Sequence, residues 1–284
     1  MEEKNKVNKS TLYLVGTPIG NLSDISERAI KVLSEVDFIA AEDTRNSLRL
    51  LTHFGISKPM ISYFEHNKRE RGQTIVQRLA QGESCALITD AGTPAISDPG
   101  EDLVRMCADN NITVISVPGA CAAICALTLS GLATARFCFE GFLPTAKAER
   151  RARLESLKNE ERTMIFHEAP HKLKATLSDL SVTFGENRKI ALCRELTKLN
   201  EQTVRTTIGE AINYYEENQP RGEYVLVVSG SEATENNCFW QEMTVEEHLE
   251  YYTSNGIDLR DAIKNVAHDR GVPKNDIYKK VHQK

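Results

Sequence analysis

The chain has 284 residues, 40% of them hydrophobic and 26% charged, with a formal net charge of −5. The length fits two ordinary domains or one large one, and the apolar fraction suffices for a sizeable core. No run of eighteen apolar residues occurs, which argues against a transmembrane helix. The N-terminal MEEKNKVNKS lacks the apolar stretch of a signal peptide, so the protein is expected in the cytoplasm. A negative total argues against a broad nucleic-acid groove, and an RNA reader of this composition would have to concentrate its positive charge locally.

From residue 11 onward short apolar runs alternate with helical patterns. TLYLVG (11–16) reads as a buried strand and DISERAIKVLSEV (24–36) as a helix with Ile25, Ala29, Leu33 and Val36 on one stripe. DFIAAE (37–42) is a second strand, RNSLRLLTHFG (45–55) a helix closed by Gly55, and PMISYF (59–64) a third strand. RGQTIVQRLAQG (71–82) reads as a helix. SCALIT (84–89) and ITVISV (112–117) are strands around the helix EDLVRMCADN (101–110). ACAAICALTLSG (120–131) predicts an apolar helix buried on most sides.

The rhythm then restarts. RFCFEGF (136–142), TMIFHE (163–168), KIALCREL (189–196) and EYVLVVSG (223–230) read as strands. KAERRARLESLK (147–158), HKLKATLSDL (171–180) and IGEAINYYEEN (208–218) read as helices, and TKLNEQTVRTT (197–207) has room for an antiparallel strand. This alternation predicts α/β domains with largely parallel sheets. The expected division is an N-terminal α/β domain over 11–119, a C-terminal α/β domain over 120–232 and a helical basic tail over 237–284. The tail places seven Lys or Arg against four Asp within 257–284, and a helix–turn–helix arrangement fits its pattern. A second basic concentration, in residues 145–158, holds Lys147, Arg150, Arg151, Arg153 and Lys158 against Glu149 and Glu155. Either segment alone reads equally as a solvated helix face.

The seven cysteines, Cys85, Cys107, Cys121, Cys125, Cys138, Cys193 and Cys238, form no CxxC and sit mostly in apolar runs. Buried free thiols explain them best, and no metal site is expected.

Two strand-following loops carry the chemical signal. The first is Gly16-Thr17-Pro18-Ile19-Gly20-Asn21-Leu22; the second runs from Asp90 to Gly100 as DAGTPAISDPG. In open α/β sheets ligands bind beyond the carboxyl ends of strands, glycine admits close backbone approach, and proline fixes the turn. With Pro118-Gly119 after a third strand, the loops point to a nucleotide-like ligand. Neither fits a P-loop or a GxGxxG turn.

The stretches LYLVGTPIGNLSDISERAIKVL, DFIAAEDTRNSLRLLTHFGI, ALITDAGTPAISDPGEDLV, PGACAAICALTLSGL, FCFEGFLP and LCRELTK, in this order, resemble the bacterial ribosomal RNA small-subunit methyltransferase I family, of tetrapyrrole-methylase fold. The resemblance implies two α/β domains with S-adenosylmethionine in the cleft between them. It also implies a homodimer that 2′-O-methylates a decoding-region cytidine of 16S rRNA. Pro18 and Ile19 would line the cofactor. Gly92, Thr93, Pro94 and Ile96 would cradle it, with Asp90 and Ser97 of the same loop among its contacts. Cys121 and Ala122 would lie beside it, and Phe166 and the strand end near Arg194 would close its adenine side. The chain departs from the family pattern at Gly16, Ala120 and His167-Glu168-Ala169.

A ribose hydroxyl is a weak nucleophile, so a base, or a cation that stabilises the alkoxide, should assist it. Spacing alone reads Glu42–Arg45 as a helix N-cap and Arg194–Lys198 as an interdomain salt bridge. With the resemblance, Glu42, Arg45, Arg194 and Glu195 become candidates for substrate contact, and the base stays unassigned. Lys147, Arg150, Arg151 and Arg153 are candidates for RNA phosphate. Two competing functions are methylation of a tetrapyrrole carbon and a catalytically silent RNA-binding factor.

Overall fold

The computed structural model describes residues 6–231, 240 and 243–282; Cys238 and the ends of the expected tail lie outside them. Residues up to Gly230 form one compact unit and the rest a second.

The first half of the larger unit runs β1 (Thr11–Val15), α1 (Glu27–Glu35), β2 (Phe38–Ala41), α2 (Thr44–His53), β3 (Met60–Ser62), α3 (Lys68–Ala80), β4 (Cys85–Ile88), α4 (Gly100–Asp109) and β5 (Thr113–Val117). Its five strands order β3-β2-β4-β1-β5, every pair parallel. Helices cover both faces, so successive strand residues are buried on opposite sides. Tyr13, Val15, Ile39 and Ile88 pack with Leu33 of α1 and Leu51 of α2, while Leu12, Phe38 and Leu87 pack with Ile75 of α3 and Leu103 of α4. The parallel sheet brings the carboxyl ends of β1, β4 and β5 to one edge.

The second half comprises α5 (Ala122–Ser130), β6 (Phe137–Phe142), α6 (Lys147–Ser156), β7 (Thr163–Glu168), α7 (Leu173–Phe184), β8 (Lys189–Arg194), β9 (Gln202–Thr207), α8 (Ile208–Glu217) and β10 (Tyr224–Val228). Its order is β6-β7-β10-β8-β9. Only β6 and β7 pair in parallel; β7–β10, β10–β8 and β8–β9 are antiparallel. This corrects the expectation of a second largely parallel sheet. The link 195–201 is too short for the crossover that a parallel β9 would need, and β10 inserts in reverse between β7 and β8. One face packs on α6, α7 and α8 through Phe166, Leu177, Leu192 and Leu226. The other packs on α5 through Ile165, Ala191, Cys193 and Val227. α5 is buried on most sides, though Ile124 and Thr128 stay exposed.

The smaller unit packs α9 (Val245–Ser254), α10 (Leu259–Asp269) and α11 (Lys274–His282) around Leu249, Ile263, Val266 and Ile277. Asp258 caps α10 by accepting from Arg260 N and Asp261 N. No helix among the described residues is long and apolar enough to cross a membrane.

Candidate functional site

The three loops beyond β1, β4 and β5 are locked to one another. Thr17 and Gly92 exchange backbone hydrogen bonds, Thr17 N–H to Gly92 O at 2.9 Å and Gly92 N–H to Thr17 O at 3.1 Å. The Thr17 hydroxyl donates to Thr89 O at 3.3 Å, and the Thr93 hydroxyl donates to Ala120 O at 3.0 Å. Gly16 abuts Gly119 so closely that a Cβ on Gly16 would stand 2.7 Å from Gly119 Cα. In this chain a side chain at Gly16 would require the Gly119 backbone to shift.

Asp98 organises the longest loop. Its carboxylate accepts from Ala95 N (3.0 Å), Ile96 N (3.3 Å) and Gly100 N (2.7 Å). Ala95 and Ser97 take left-handed φ of 68° and 64°, an unfavourable backbone that those bonds hold in place. Asp98 did not stand out from the sequence. The available signal was an acceptor placed among consecutive N–H groups with no strand or helix to satisfy them.

These loops face the strand ends of the second half across a cavity of about 450 Å³. Ile19, Ala91 and Ala122 line it from one side; Phe142, His167, Cys193, Glu195 and Lys198 line it from the other. Contact between the halves is close. A Cβ on Gly20 would meet Lys198 Cγ at 2.4 Å, and one on Gly141 would meet Ser97 Oγ at 3.4 Å. Glu195 and Thr197 adopt left-handed φ of 51° and 66° in the turn after β8. Glu195 Oε1 accepts from Glu223 N (3.0 Å) and Lys198 Nζ (3.0 Å), and Lys198 Nζ also reaches Glu223 at 2.9 Å. The Glu223 N–H first, and Lys198 second, hold the Glu195 carboxyl below the usual carboxylate range, so it is ionised at neutral pH.

His167 stands edge-on to Phe139 (5.2 Å) and Phe142 (5.4 Å), and burial depresses its pKa, which favours the neutral imidazole. Its Nε2 and the Thr197 hydroxyl are buried without a hydrogen-bond partner among the described residues.

Of the residues expected to meet the cofactor, Ile19 and Ala122 line the cavity, and Pro18, Asp90, Gly92, Thr93, Pro94, Ile96, Ser97 and Cys121 belong to the interlocked loops and the start of α5 around it. Phe166 is a correction. Its side chain is fully buried among the α6–α8 core, because alternation along β7 turns it away from the cleft and turns His167 into it. The same alternation applies to Arg194. It shares a face of β8 with Ile190 and Leu192, beside Tyr215, whose hydroxyl burial pushes up in pKa and the Arg194 charge draws back. Cys193, on the other face, lines the cavity. Of the two candidates at this strand end, Glu195 is the one in the cavity wall.

At the end of β2, Thr89 Oγ1 donates to Glu42 at 2.7 Å. Asp43 caps α2 by accepting from Arg45 N at 2.8 Å, and its other oxygen takes the Arg45 guanidinium at 2.8 Å. The Arg45 side chain holds the Asp43 pKa down to about 2. That guanidinium is 87% exposed and lies outside the cavity lining.

The basic helix divides in two. Arg150 is 15% exposed. It bonds Asp179 at 2.7 Å and donates to Thr145 O at 3.2 Å, so its charge is spent inside the fold. Arg153 pairs with Glu140 at 2.5 Å, whereas Arg151 and Lys147 extend into solvent. No group of three His, Cys, Asp or Glu side chains gathers for a metal among the described residues.

Comparison with known proteins gives a consistent placement. Residues 11–212 match the family described as Tetrapyrrole (Corrin/Porphyrin) Methylases. A protein from Halalkalibacterium halodurans named ribosomal RNA small subunit methyltransferase I is 48% identical, covering 97% of this chain and 96% of its own. A protein of the same name from Bacillus subtilis is 46% identical, covering 100% of this chain and 98% of its own. Among solved structures, diphthine synthase superposes with a TM-score of 0.60 at 13% identity over 78% of this chain and 90% of its own. Uroporphyrin-III C-methyl transferase from Thermus thermophilus, complexed with S-adenyl homocysteine, gives 0.55 at 16% identity over 77% and 97%. Such structural likenesses speak for the fold alone.

Proposed function

The chain belongs to the tetrapyrrole methylase family and, within it, to the ribosomal RNA small subunit methyltransferase I group, and from that premise we propose that it 2′-O-methylates a cytidine in the decoding region of 16S rRNA. It is an S-adenosylmethionine-dependent methyltransferase acting on small-subunit ribosomal RNA. The observation that carries the site assignment is the cavity between the interlocked loops and the strand ends of the second half.

The cavity suits the cofactor. Its volume lies in the range of small-molecule sites, and its walls are mostly apolar with a few placed polar groups. A Cβ on Gly92 would come within 3.3 Å of Ile19 Cγ2 and narrow the cradle. His167, in the cavity wall, carries at Nε2 a buried polar atom that the described residues leave unsatisfied. The residues that would hold the cofactor are Ile19, Gly92, Thr93 and Ala122 on one side and the strand ends at His167 and Leu196 on the other.

When bound, S-adenosylmethionine supplies an electrophilic methyl group on a sulfonium centre. The chain's task is to bring a ribose hydroxyl in line with it, and positioning of this kind can remove much of the barrier. Lys198 carries positive charge to the cavity wall, where it favours a developing alkoxide, and Glu195 fixes Lys198 in place. Glu42 and Arg45, beside the Asp90 loop, are assigned to the incoming RNA. In the same reading the enzyme works as a cytoplasmic homodimer.

The test is transfer of labelled methyl to small ribosomal subunits lacking the modification, followed by mapping. A 2′-O-methyl group blocks alkaline cleavage of the adjacent linkage. An alkali-resistant linkage after one cytidine is expected; a cleavable one at the labelled nucleotide, which marks base methylation, would overturn the 2′-O assignment. Sedimentation with and without RNA checks the dimer.

A further inference from the structure

Phe142 ends β6 at the mouth of the cavity, with 63% of its surface exposed. A single exposed apolar residue is ordinary on a protein surface. This ring is different in being aimed. The register between β6 and β7 slips between Phe139 and Gly141, and Gly141 takes a left-handed φ of 62°. A bulge of this kind re-aims the following side chain. Phe142 consequently stands edge-on to His167 at 5.4 Å, and His167 is edge-on to Phe139 at 5.2 Å, which fixes the ring from behind and leaves it open in front.

The surroundings give the chemistry. Five residues on, α6 begins with the exposed Lys147, and Arg151 follows with 60% of its side chain exposed, 3.7 Å from Asp179. Lys172 donates to Thr145 Oγ1 at 3.3 Å in the same segment. An exposed aromatic ring followed along the chain by solvent-facing cations offers the two contacts that hold unstacked nucleotides, base on ring and phosphate on cation. The same ring lines the cavity.

We propose that Phe142 is a positioning residue on which one unstacked RNA base rests, so that the ribose of the target nucleoside enters the cavity while Lys147 and Arg151 take the adjoining phosphates. The assignment rests on the RNA methyltransferase reading above. Stacking needs only a π face, so it sets where the nucleotide lies; which nucleotide is chosen is left to other contacts.

The experiment compares wild type, Phe142→Ala and Phe142→Trp. It measures affinity for small ribosomal subunits lacking the modification, cofactor affinity by calorimetry, single-turnover methylation, sedimentation and melting temperature. Phe142→Ala is expected to weaken RNA affinity about 5- to 150-fold, the range for loss of one stacked base. Cofactor affinity, sedimentation and melting temperature should hold, and Phe142→Trp should restore RNA binding. Unchanged RNA affinity in Phe142→Ala overturns the proposal. So does a matching fall in cofactor affinity, which would give the ring to the cofactor, or a change in sedimentation, which would give it to a second copy of the chain. RNA affinity is read independently of transfer. Wild type that binds subunits yet methylates nothing would overturn the functional reading while the Phe142 comparison is still decided by binding.

Discussion

The two halves of the larger unit meet at one cavity but reach it by different means. In the first, five parallel strands end at a common edge, and the cavity wall is built from backbone: loops tied by Thr17–Gly92, Thr93–Ala120 and the three N–H groups on Asp98. In the second, antiparallel pairing sends neighbouring strands to opposite ends, and the surface is side chain: His167, Glu195, Lys198 and Phe142. Backbone cradles of this sort tolerate no added bulk, whereas side-chain walls respond to charge and shape one residue at a time.

The sharpest way to break the comparison is Thr93→Arg. A long cation in the loop cradle removes the bond to Ala120 O and fills the ligand space. Calorimetry should detect no cofactor binding, with melting temperature little changed because Thr93 lies outside the core clusters. Retained affinity would move the cofactor elsewhere.

Glu195→Ala should come next. Losing its bonds to Glu223 N and Lys198 frees the strained turn in the cavity wall, and a misplacement on the scale of 1 Å costs about a hundredfold in rate. Arg45→Ala, at an exposed guanidinium outside the cavity, should reduce single-turnover methylation less. Equal losses in the two variants would erase the distinction between wall and approach.

Within α6 the same contrast separates stability from binding. Arg150→Ala leaves the buried Asp179 carboxylate with only the 3.7 Å contact to Arg151, and breaking a buried pair from one side costs up to about 3–5 kcal/mol, readable in the denaturant midpoint. Arg151→Ala, in solvent, should shift stability by no more than about 0.5 kcal/mol. Replacing Lys147 and Arg151 together by Ala should flatten the salt dependence of RNA affinity by about 0.7 to 0.9 in log–log slope per lost phosphate contact. An unchanged slope would take α6 off the RNA.

The smallest effect is in pH. Burial depresses the His167 pKa below its ordinary value of 6.5. Below that value the unfolded chain takes up a proton that the folded chain refuses, so His167 opposes folding progressively as pH falls from 6.5 through the depressed value, and has no effect above. The stability difference between wild type and His167→Gln should therefore vary with pH in that window and be flat above it. A flat difference throughout would place His167 in solvent.

The sequence alone determined much of this protein. Strand and helix order follows from apolar periodicity, and the strands of the first half are buried on both faces, so their apolar runs are legible without knowing their neighbours. The loops after β1 and β4 announced themselves through Gly and Pro, whose backbone preferences are properties of the residue. The N-cap of α2 was local too, with Asp43 and Thr44 both open to the role from sequence and Asp43 taking it in the structure. What the tertiary structure decided is everything that depends on which strand lies beside which. The reversal of β10 makes the second sheet mixed. Phase along β7 decides that His167 faces the cavity while Phe166 turns to the helices, and the turn after β8 brings Glu195 into the cavity wall. A one-residue step in a strand changes faces, so the sequence could mark the strand end at Phe166 without showing that His167 is the side chain facing the cavity. Arg150 differs from Arg151 for the same kind of reason: only packing against α7 puts Asp179 within 2.7 Å of one guanidinium and leaves the other 3.7 Å away and mostly exposed.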